Sequence, residues 1–224
     1  MRGWKTNRHS ILSSFIVVEI AETGCAEARS LSFLHIPAAS PHWPMKQETR
    51  RELGHNIQVR QENAGDTAGV RRVNEEAFGR SAEANLVDDL RSAGKVILSL
   101  VATEDDHVVG HILFSPVTID PGRAGLKGVG LAPMAVLSEY QGRGVGSLLV
   151  RAGLAACREA GYDCVVVLGH PEYYLRFGFI RASDYGLRSE YDVRSEAFML
   201  IELREGALRG VTGTVRYQPE FSQV

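Results

Sequence analysis

Apolar and polar positions follow regular periods between residues 57 and 203. Alternation with period two indicates half-buried strands, continuous apolar runs indicate fully buried strands, and apolar positions three and four apart indicate helices. In chain order the pattern predicts a strand over 57–61, a helix from an Asp66 N-cap to Phe78, a helix over 82–92, strands over 96–102, 108–114 and 126–137, a helix over 144–160, a strand over 164–168, a short helix over 171–177, and strands over 178–180 and 197–203. This order predicts one α/β domain with a mixed sheet and no internal repeat.

Residues 1–44 lack such a period and end in the proline-rich run PAASPHWP. A basic start and the apolar run over 11–18 resemble a secretory signal, but Glu19 and Glu22 follow at once, and the run is shorter than the ~20 residues that span a bilayer. The alternative is an irregular, disordered leader or a mis-assigned start, with translation beginning at Met45. We therefore expect a single domain over 45–224, with its core at about 57–203.

Composition narrows the class of protein. Of the 224 residues, 44% are hydrophobic and 23% are charged, which excludes a disordered chain, a collagen-like polymer and a polytopic membrane protein. A formal net charge of −2 argues against a general electrostatic grip on nucleic acid. The three cysteines, at positions 25, 157 and 164, fit a reducing compartment and show no spacing for structural zinc.

The segment QGRGVGS at 141–147 joins the long strand to the long helix. Its alternate glycines expose backbone N–H groups at a helix N-terminus, where the helix dipole also favours an anion such as pyrophosphate. Arg143 adds charge and Ser147 a hydroxyl. The dinucleotide-binding and Walker A patterns both fail. The alternative is a purely structural role, in which these glycines only permit a tight turn between strand and helix.

Two motifs carry a family resemblance. Gln141 to Gly146 matches Q/R-x-x-G-x-G/A, the acetyl-CoA motif of the GNAT superfamily of N-acetyltransferases, and Tyr174 to Phe179 resembles the superfamily's Y-x-x-x-G-F signature. Residues 167–179 look like the YhbS-type bacterial branch. The element order resembles that superfamily over about 57–203, with the specific motifs confined to 131–179. The resemblance implies the GNAT-like acyl-CoA N-acyltransferase fold, a single α/β domain whose mixed, mostly antiparallel sheet is flanked by helices.

The resemblance also implies where acetyl-CoA binds, as a co-substrate and without a metal. The cofactor is expected between the strand ending near Leu137 and the strand ending near Leu168. Residues of the first strand match those whose backbone pairs with the pantetheine arm, and the glycine-rich turn matches the pyrophosphate loop. The implied cofactor-binding residues are Met134, Ala135, Val136, Gln141, Gly142, Arg143, Gly144, Val145, Gly146 and Ser147.

Acetyl transfer from a thioester sets three chemical requirements. The amine must lose its proton, the tetrahedral oxyanion needs hydrogen-bond donors, and the departing thiolate must be protonated. The backbone N–H groups over 134–136 match the oxyanion donors. Tyr174, four residues before Gly178, matches the superfamily's general-acid tyrosine, although an aromatic packing residue would look the same.

No general base carries over, because the strand over 128–137 contains no carboxylate. The candidates are Glu76, Glu83, His111, His170 and an ordered water. Histidines have a useful ordinary pKa of ~6.5, but a lone strand histidine is more often a hydrogen-bonded core residue. Cys157 and Cys164, on a buried helix face and a buried strand, are expected to be inert core residues.

The sequence therefore predicts a cytoplasmic N-acetyltransferase that moves acetyl from acetyl-CoA to a primary amine in a ternary complex. The expected partners are acetyl-CoA and an amine-bearing acceptor, either a small molecule or a protein amine, with no nucleic acid and no membrane; a homodimer is left open. The irregular stretch over 185–195 suits acceptor specificity or a plain surface loop. The alternatives are a transferase for another acyl-CoA and a non-catalytic acyl-CoA-binding or sensing module.

Overall fold

The computed structural model describes residues 49–52 and 55–224. The interpretations of residues 1–44 concern a segment outside this range. Four helices are present in the described part of the chain: α1 (Thr67–Phe78), α2 (Ala82–Ser92), α3 (Val145–Glu159) and α4 (Pro171–Tyr174). The strands there are β1 (Thr49–Glu52), β2 (His55–Gln61), β3 (Leu98–Glu104), β4 (His107–Asp120), β5 (Gly128–Val136), β6 (Cys164–Leu168), β7 (Ile180–Arg181), β8 (Leu187–Ser189), β9 (Phe198–Glu202) and β10 (Gly213–Arg216).

The strands form one sheet in the order β1-β2-β3-β4-β5-β6-β9-β7. Every neighbouring pair on this path is antiparallel except β5 and β6, which run parallel. A parallel pair needs a crossover, and α3 supplies it. The predicted α/β class with a mixed, mostly antiparallel sheet is therefore confirmed.

Helices cover both faces of the sheet. A Cβ on Gly110 of β4 would touch Leu149 of α3, whereas the next side chain, His111, meets Asn74 of α1. Successive side chains of a strand point to opposite faces. Thus α1 and α3 lie on opposite sides, and the core is two-layered around β3, β4 and β5.

The prediction that the strand over 197–203 is the last one is wrong. β10 follows it and pairs antiparallel with the far end of β4, over Thr118–Asp120, and parallel with β8. Both β8, with three residues, and β10, with four, are too short to show a hydrophobic period. Together they tie the connection between β7 and β9, which includes the stretch predicted to be irregular over 185–195, to the main sheet.

Within the described residues, no helix is both long enough and apolar enough to cross a membrane.

Candidate active site

The two parallel strands at the middle of the sheet separate along their length. Among the described residues, β5 pairs with β6 only from Gly128 to Gly130, whereas it pairs with β4 as far as Val136. β6 continues to Leu168 along its other neighbour, β9. Residues 131–136 of β5 therefore have one edge with no strand beside it in the described part of the chain. This opening between β5 and β6 is called the wedge below.

A bulge in β5 marks where the wedge begins. Two residues, Ala132 and Pro133, stand opposite the single residue Leu113 of β4. An extra residue in one strand bends that strand and increases its twist. The bulge thus accounts for the separation of β5 from β6 directly after Gly130.

Asp163 holds the closed end of the wedge. Its backbone N–H donates to the carbonyl of Lys127 at 2.8 Å, and its Oδ2 accepts from the Lys127 amide at 2.8 Å. The Leu203 amide donates to the Asp163 carbonyl at 2.8 Å, and Arg204 forms an ion pair with Oδ1. Burial acts to raise the pKa of Asp163, but the hydrogen bonds from Lys127 and Arg204 lower it overall. One ionised side chain therefore links the ends of β5, β6 and β9.

Backbone donors face the open edge of β5. The Leu137 amide donates to the Val109 carbonyl of β4 at 3.0 Å. The Val136 carbonyl consequently points the other way, into the wedge, where it accepts from Gln141 Nε2 at 2.9 Å. Because these directions alternate along a strand, the N–H groups of Val136 and Met134 also face the wedge.

The glycine-rich turn delivers the chain from β5 to α3. Gly142 and Gly144 have φ of 69° and 81°, in the left-handed region that favours glycine. Gly144 is the N-cap of α3 and offers no side-chain cap, and the Leu148 amide makes the first helical bond, to the Gly144 carbonyl at 3.0 Å. The amides before Leu148 in the first turn have no intrahelical acceptor. They and the helix dipole make this end of the wedge attractive to an anion.

Two side chains of the turn make local contacts. The guanidinium of Arg143 lies over the ring of Tyr140, 5.6 Å from its centroid, and Arg143 is exposed. The Tyr140 hydroxyl donates to Glu104 Oε2 at 2.7 Å, which anchors the stack to the end of β3. Gln141, by contrast, uses its amide on the Val136 carbonyl and so braces the turn against β5.

Tyr174 belongs to the β6 side of the wedge. Its side chain is fully buried, with the ring centroids of Tyr173 and Phe179 at 5.1 Å and 5.4 Å in edge-to-face arrangement. A Cβ on Gly169, the residue after β6, would come within 2.5 Å of Tyr174 Cε2, so the ring rests directly on the backbone at the end of β6. The packing fixes the position of the phenol.

Three of the candidates for the general base, Glu83, Glu76 and His170, differ in their exposure to solvent. Glu83 is buried, and its two carboxylate oxygens take a bidentate ion pair from Arg80, with Nε at 3.2 Å and 3.1 Å. Glu76 is half exposed and lies 3.7 Å from an Arg72 nitrogen. His170 is an exposed N-cap residue of α4, directly after β6 and Gly169. Of the four side chains considered as general base, Glu76 and His170 are therefore the ones that solvent reaches, whereas Glu83 and His111 are buried.

His111 belongs to a buried polar chain. Asn74 Nδ2 lies 3.1 Å from His111 Nδ1, and Ser99 Oγ lies 3.0 Å from His111 Nε2. Ser99 in turn donates to Glu62, which pairs with Arg91 at 2.7 Å. An amide NH₂ can only donate, so Nδ1 accepts and Nε2–H donates to Ser99. The imidazole is thus neutral with its lone pair engaged.

Burial lowers the pKa of His111 to about 3, with the positive charge of Arg91 acting in the same direction. A group with so low a pKa is a poor proton acceptor near neutral pH. Of the two interpretations of His111, the hydrogen-bonded core residue therefore agrees with the structure, and the general base does not.

The stability of the protein should show this shift. Unfolded histidine titrates near pH ~6.5, so below that pH the unfolded chain binds a proton that folded His111 refuses, and stability falls until the pH approaches the folded value. Above pH ~6.5 this group contributes no pH dependence. Between pH 7 and pH 5 we expect a loss of about 2 kcal/mol in the free energy of unfolding that His111→Gln abolishes.

Urea unfolding at pH 7 and pH 5 measures this loss. His170→Gln, which removes an exposed histidine instead of the buried one, is the matched control. An equal slope in wild type and His111→Gln would contradict the assignment, as would an imidazole NMR signal of folded His111 that titrates near pH ~6.5.

The cysteines of the described region behave as predicted. Cys157 and Cys164 are free, buried thiols, and burial raises the pKa of each to about 12. A thiol with such a pKa is neutral and unreactive at physiological pH. In the described part of the chain, no group of three or more histidine, cysteine, aspartate or glutamate residues is arranged to hold a metal ion.

A sheet that splits beside a glycine-capped helix defines the class of this protein. The family model of the acetyltransferase (GNAT) family matches residues 67–179, from the start of α1 to the end of the second motif. The chain belongs to the GNAT family of acetyltransferases. The predicted family, fold and acetyltransferase classification are therefore confirmed.

Individual relatives narrow this class further. The uncharacterized N-acetyltransferase YhbS of Escherichia coli K12 is 41% identical over 166 residues, which are 74% of this chain and 98% of YhbS. The uncharacterized N-acetyltransferase YjhQ of the same strain is 39% identical over 145 residues, 63% of this chain and 80% of YjhQ. The predicted resemblance to the YhbS-type branch is thus confirmed.

Two solved structures resemble this one over most of their length. The E. coli YhbS structure in complex with CoA superposes with a TM-score of 0.72 at 39% identity, covering 77% of this chain and 96% of that one. A GNAT family acetyltransferase of Brucella melitensis in complex with acetyl-CoA gives a TM-score of 0.62 at 37% identity, with 75% and 99% covered.

The sequence-predicted site residues fall into two groups in the structure. The end of β5 and the first turn of α3 flank the open end of the wedge, and Tyr174 lies at its β6 side. Glu83 and His111, in contrast, are engaged in buried contacts of their own. Sequence reasoning missed Asp163, whose only signal is its place directly before a buried strand, and Arg176, which stands inside the motif YLRFGF without a marked role.

Proposed function

We propose that this protein transfers acetyl from acetyl-CoA to a primary amine, by direct attack within a ternary complex. The observation that carries the proposal is the open edge of β5 beside the N-terminus of α3. An exposed strand edge can pair with the amide groups of a pantetheine arm, and a helix N-terminus can bind the pyrophosphate at the end of that arm. CoA and acetyl-CoA, present in the two related structures, contain both parts.

The proposed cofactor seat uses the predicted residues. The backbone of Met134, Ala135 and Val136 binds pantetheine, and the turn from Gln141 to Ser147 binds the pyrophosphate. The Gln141 amide, held on the Val136 carbonyl, acts by bracing the turn. The arm and the phosphate thus meet adjacent segments of one strand–turn–helix unit.

The proposed reaction breaks the C–S bond of the thioester and forms one C–N bond, and Tyr174 recovers its proton from solvent after the transfer. The neutral amine attacks the thioester carbonyl carbon, and one N–H group on the open edge of β5, that of Met134 or that of Val136, stabilises the oxyanion. When the tetrahedral intermediate collapses, the C–S bond breaks and Tyr174 gives its phenolic proton to the thiolate. The proton lost by the amine goes to Glu76, His170 or an ordered water, since Glu83 and His111 are occupied by Arg80 and by Asn74 and Ser99.

The connection between β7 and β9 is proposed to select the acceptor. Its stretch over 185–195 carries Arg188 and Arg194 together with Glu190 and Asp192, all exposed, while β8 and β10 hold it against the sheet. Loops that a rigid scaffold positions commonly carry specificity.

We place the reaction in the cytoplasm, in keeping with the free thiols of Cys157 and Cys164.

Thiol-release kinetics test the proposal. Purified protein is given acetyl-CoA with a panel of amines, polyamines, amino acids and lysine peptides, and the acetylated product is identified by mass spectrometry. We expect amine-dependent release of CoA with at least one acceptor class and a sequential, ternary-complex rate pattern. Tight binding of acetyl-CoA without turnover on any acceptor would instead favour a binding or sensing module, and turnover only with a longer acyl-CoA would favour a different donor.

A further inference from the structure

A second arginine reaches the N-terminus of α3 from the opposite side of the wedge. Arg176 lies in the 3-10 turn Leu175–Phe177 that follows α4, and its Nη2 donates to Ser147 Oγ at 3.1 Å. Ser147 is the third residue of α3, in the turn whose amides have no intrahelical acceptor. The guanidinium therefore connects the β6 side of the wedge with the proposed phosphate site.

Aromatic rings hold this guanidinium in place. Its Cζ lies 4.2 Å from the centroid of Tyr173 and 5.1 Å from that of Phe177, while Arg176 itself is exposed to solvent. Stacking limits the side-chain entropy that a flexible arginine loses on binding a ligand. The planar fork can also offer two parallel N–H bonds to one phosphate group. An arginine arranged in this way is suited to bind an anion at its edge.

The arrangement mirrors that of Arg143 on the β5 side. There the guanidinium lies over Tyr140, 5.6 Å from the ring centroid. Each side of the open end of the wedge thus presents an exposed arginine against a tyrosine ring, and both arginines adjoin the start of α3: Arg143 directly precedes the N-cap, and Arg176 donates to Ser147. The sequence pattern by itself indicates a phosphate-binding side-chain charge only in the turn over 141–147, at Arg143.

We propose that Arg176 is a phosphate-binding residue that grips acetyl-CoA from the β6 side, opposite Arg143. The inference rests on the proposed function, because it requires the phosphates of that cofactor at the N-terminus of α3. On binding, one N–H that now meets Ser147 turns to a phosphate oxygen over a short distance. The phosphates then lie between two positive charges, that of Arg143 on the β5 side and that of Arg176 on the β6 side.

Comparing a donor that has phosphates with one that lacks them tests this proposal. The Kd for acetyl-CoA is measured by calorimetry, and kcat/KM is measured with acetyl-CoA and with S-acetylpantetheine. A charge-assisted hydrogen bond of ~1.5–3 kcal/mol corresponds to a loss of about tenfold or more in affinity for Arg176→Ala. The kcat/KM for S-acetylpantetheine should stay within about twofold of the wild type, and Arg176→Lys should recover part of the loss because it keeps the charge without the fork.

Arg151→Ala is the matched control. Arg151 is also exposed and lies 5.8 Å from the Phe177 ring, but it stands one helical turn beyond Ser147 along α3. Its removal should change the Kd for acetyl-CoA much less than removal of Arg176. Three results would each overturn the role of Arg176. They are an equal loss of kcat/KM with both donors in Arg176→Ala, an equal loss of affinity for acetyl-CoA in Arg176→Ala and Arg151→Ala, and an unchanged Kd in Arg176→Ala. A wild-type protein that binds no acetyl-CoA would instead overturn the proposed function, and this inference with it.

Discussion

Replacing Tyr174 with phenylalanine should lower the kcat of acetyl transfer about a hundredfold or more, because a positioned acid commonly contributes 10²–10⁴-fold. Without the phenol, the thiolate leaves unprotonated from a site walled by apolar side chains. The Kd for acetyl-CoA should stay within about twofold, since only one hydroxyl is lost and the proposed binding groups are backbone amides and arginines. Thiol release at saturating acetyl-CoA measures the first quantity, and calorimetry measures the second.

The packing around Tyr174 makes this variant informative. The ring is fully buried against Tyr173, Phe179 and the backbone of Gly169, and phenylalanine keeps the same ring in the same place. Tyr173→Phe removes the neighbouring hydroxyl while preserving the ring on which Arg176 stacks, so it serves as the control and should retain nearly full kcat. Equal rates for wild type and Tyr174→Phe would show that Tyr174 is a packing residue.

Replacing Gly144 with valine should weaken acetyl-CoA binding more than tenfold. At φ 81° a β-branched residue is strained, at a cost of about 1–3 kcal/mol. Relief of that strain moves the N-cap of α3 and disturbs the aligned amides, and the new side chain also stands where a phosphate must approach. Calorimetric titration with acetyl-CoA measures the loss of affinity, and urea unfolding measures the loss of stability.

Gly161→Val separates these two effects. Gly161 follows the C-terminal end of α3 at φ 77°, and a Cβ there has nothing within 4 Å. The backbone strain is thus similar, but it lies at the other end of the same helix. We expect a comparable drop in stability without loss of affinity for acetyl-CoA. If Gly144→Val binds acetyl-CoA as tightly as Gly161→Val does, the turn is not the phosphate site.

The sequence was most informative where structure depends on local periodicity. The apolar stripe of α3, which includes Leu149 and Cys157, repeats often enough over 15 residues to predict the helix within a residue at each end. The buried strand β6 was predicted with its observed bounds because its five consecutive apolar residues are flanked by Asp163 and Gly169. The short strands β8 and β10 have no such signal, because pairing with β4 and with each other is what makes them strands.

The candidate site shows the same division. The turn over 141–147 was recognisable because its chemistry resides in backbone groups, and glycine spacing reports directly on which backbone groups can be exposed. The protonation state of His111 was not recognisable from the sequence. Its pKa depends on burial and on Asn74 of α1 and Ser99 of β3, which are distant from it in sequence. The hydrogen bonds of Asp163 with Lys127 and Leu203 could not be predicted for the same reason.

By itself, the sequence determined the family, the α/β class and the glycine-rich turn, since each is written in short-range patterns of residue type. Only the tertiary structure decided that β5 parts from β6 after Gly130, that His111 is a neutral core residue, and that Arg176 meets Ser147 across the wedge. These features arise when elements far apart in the chain pack together. Burial and distance then set the hydrogen bonds and the charge of each group, which no local pattern of residues contains.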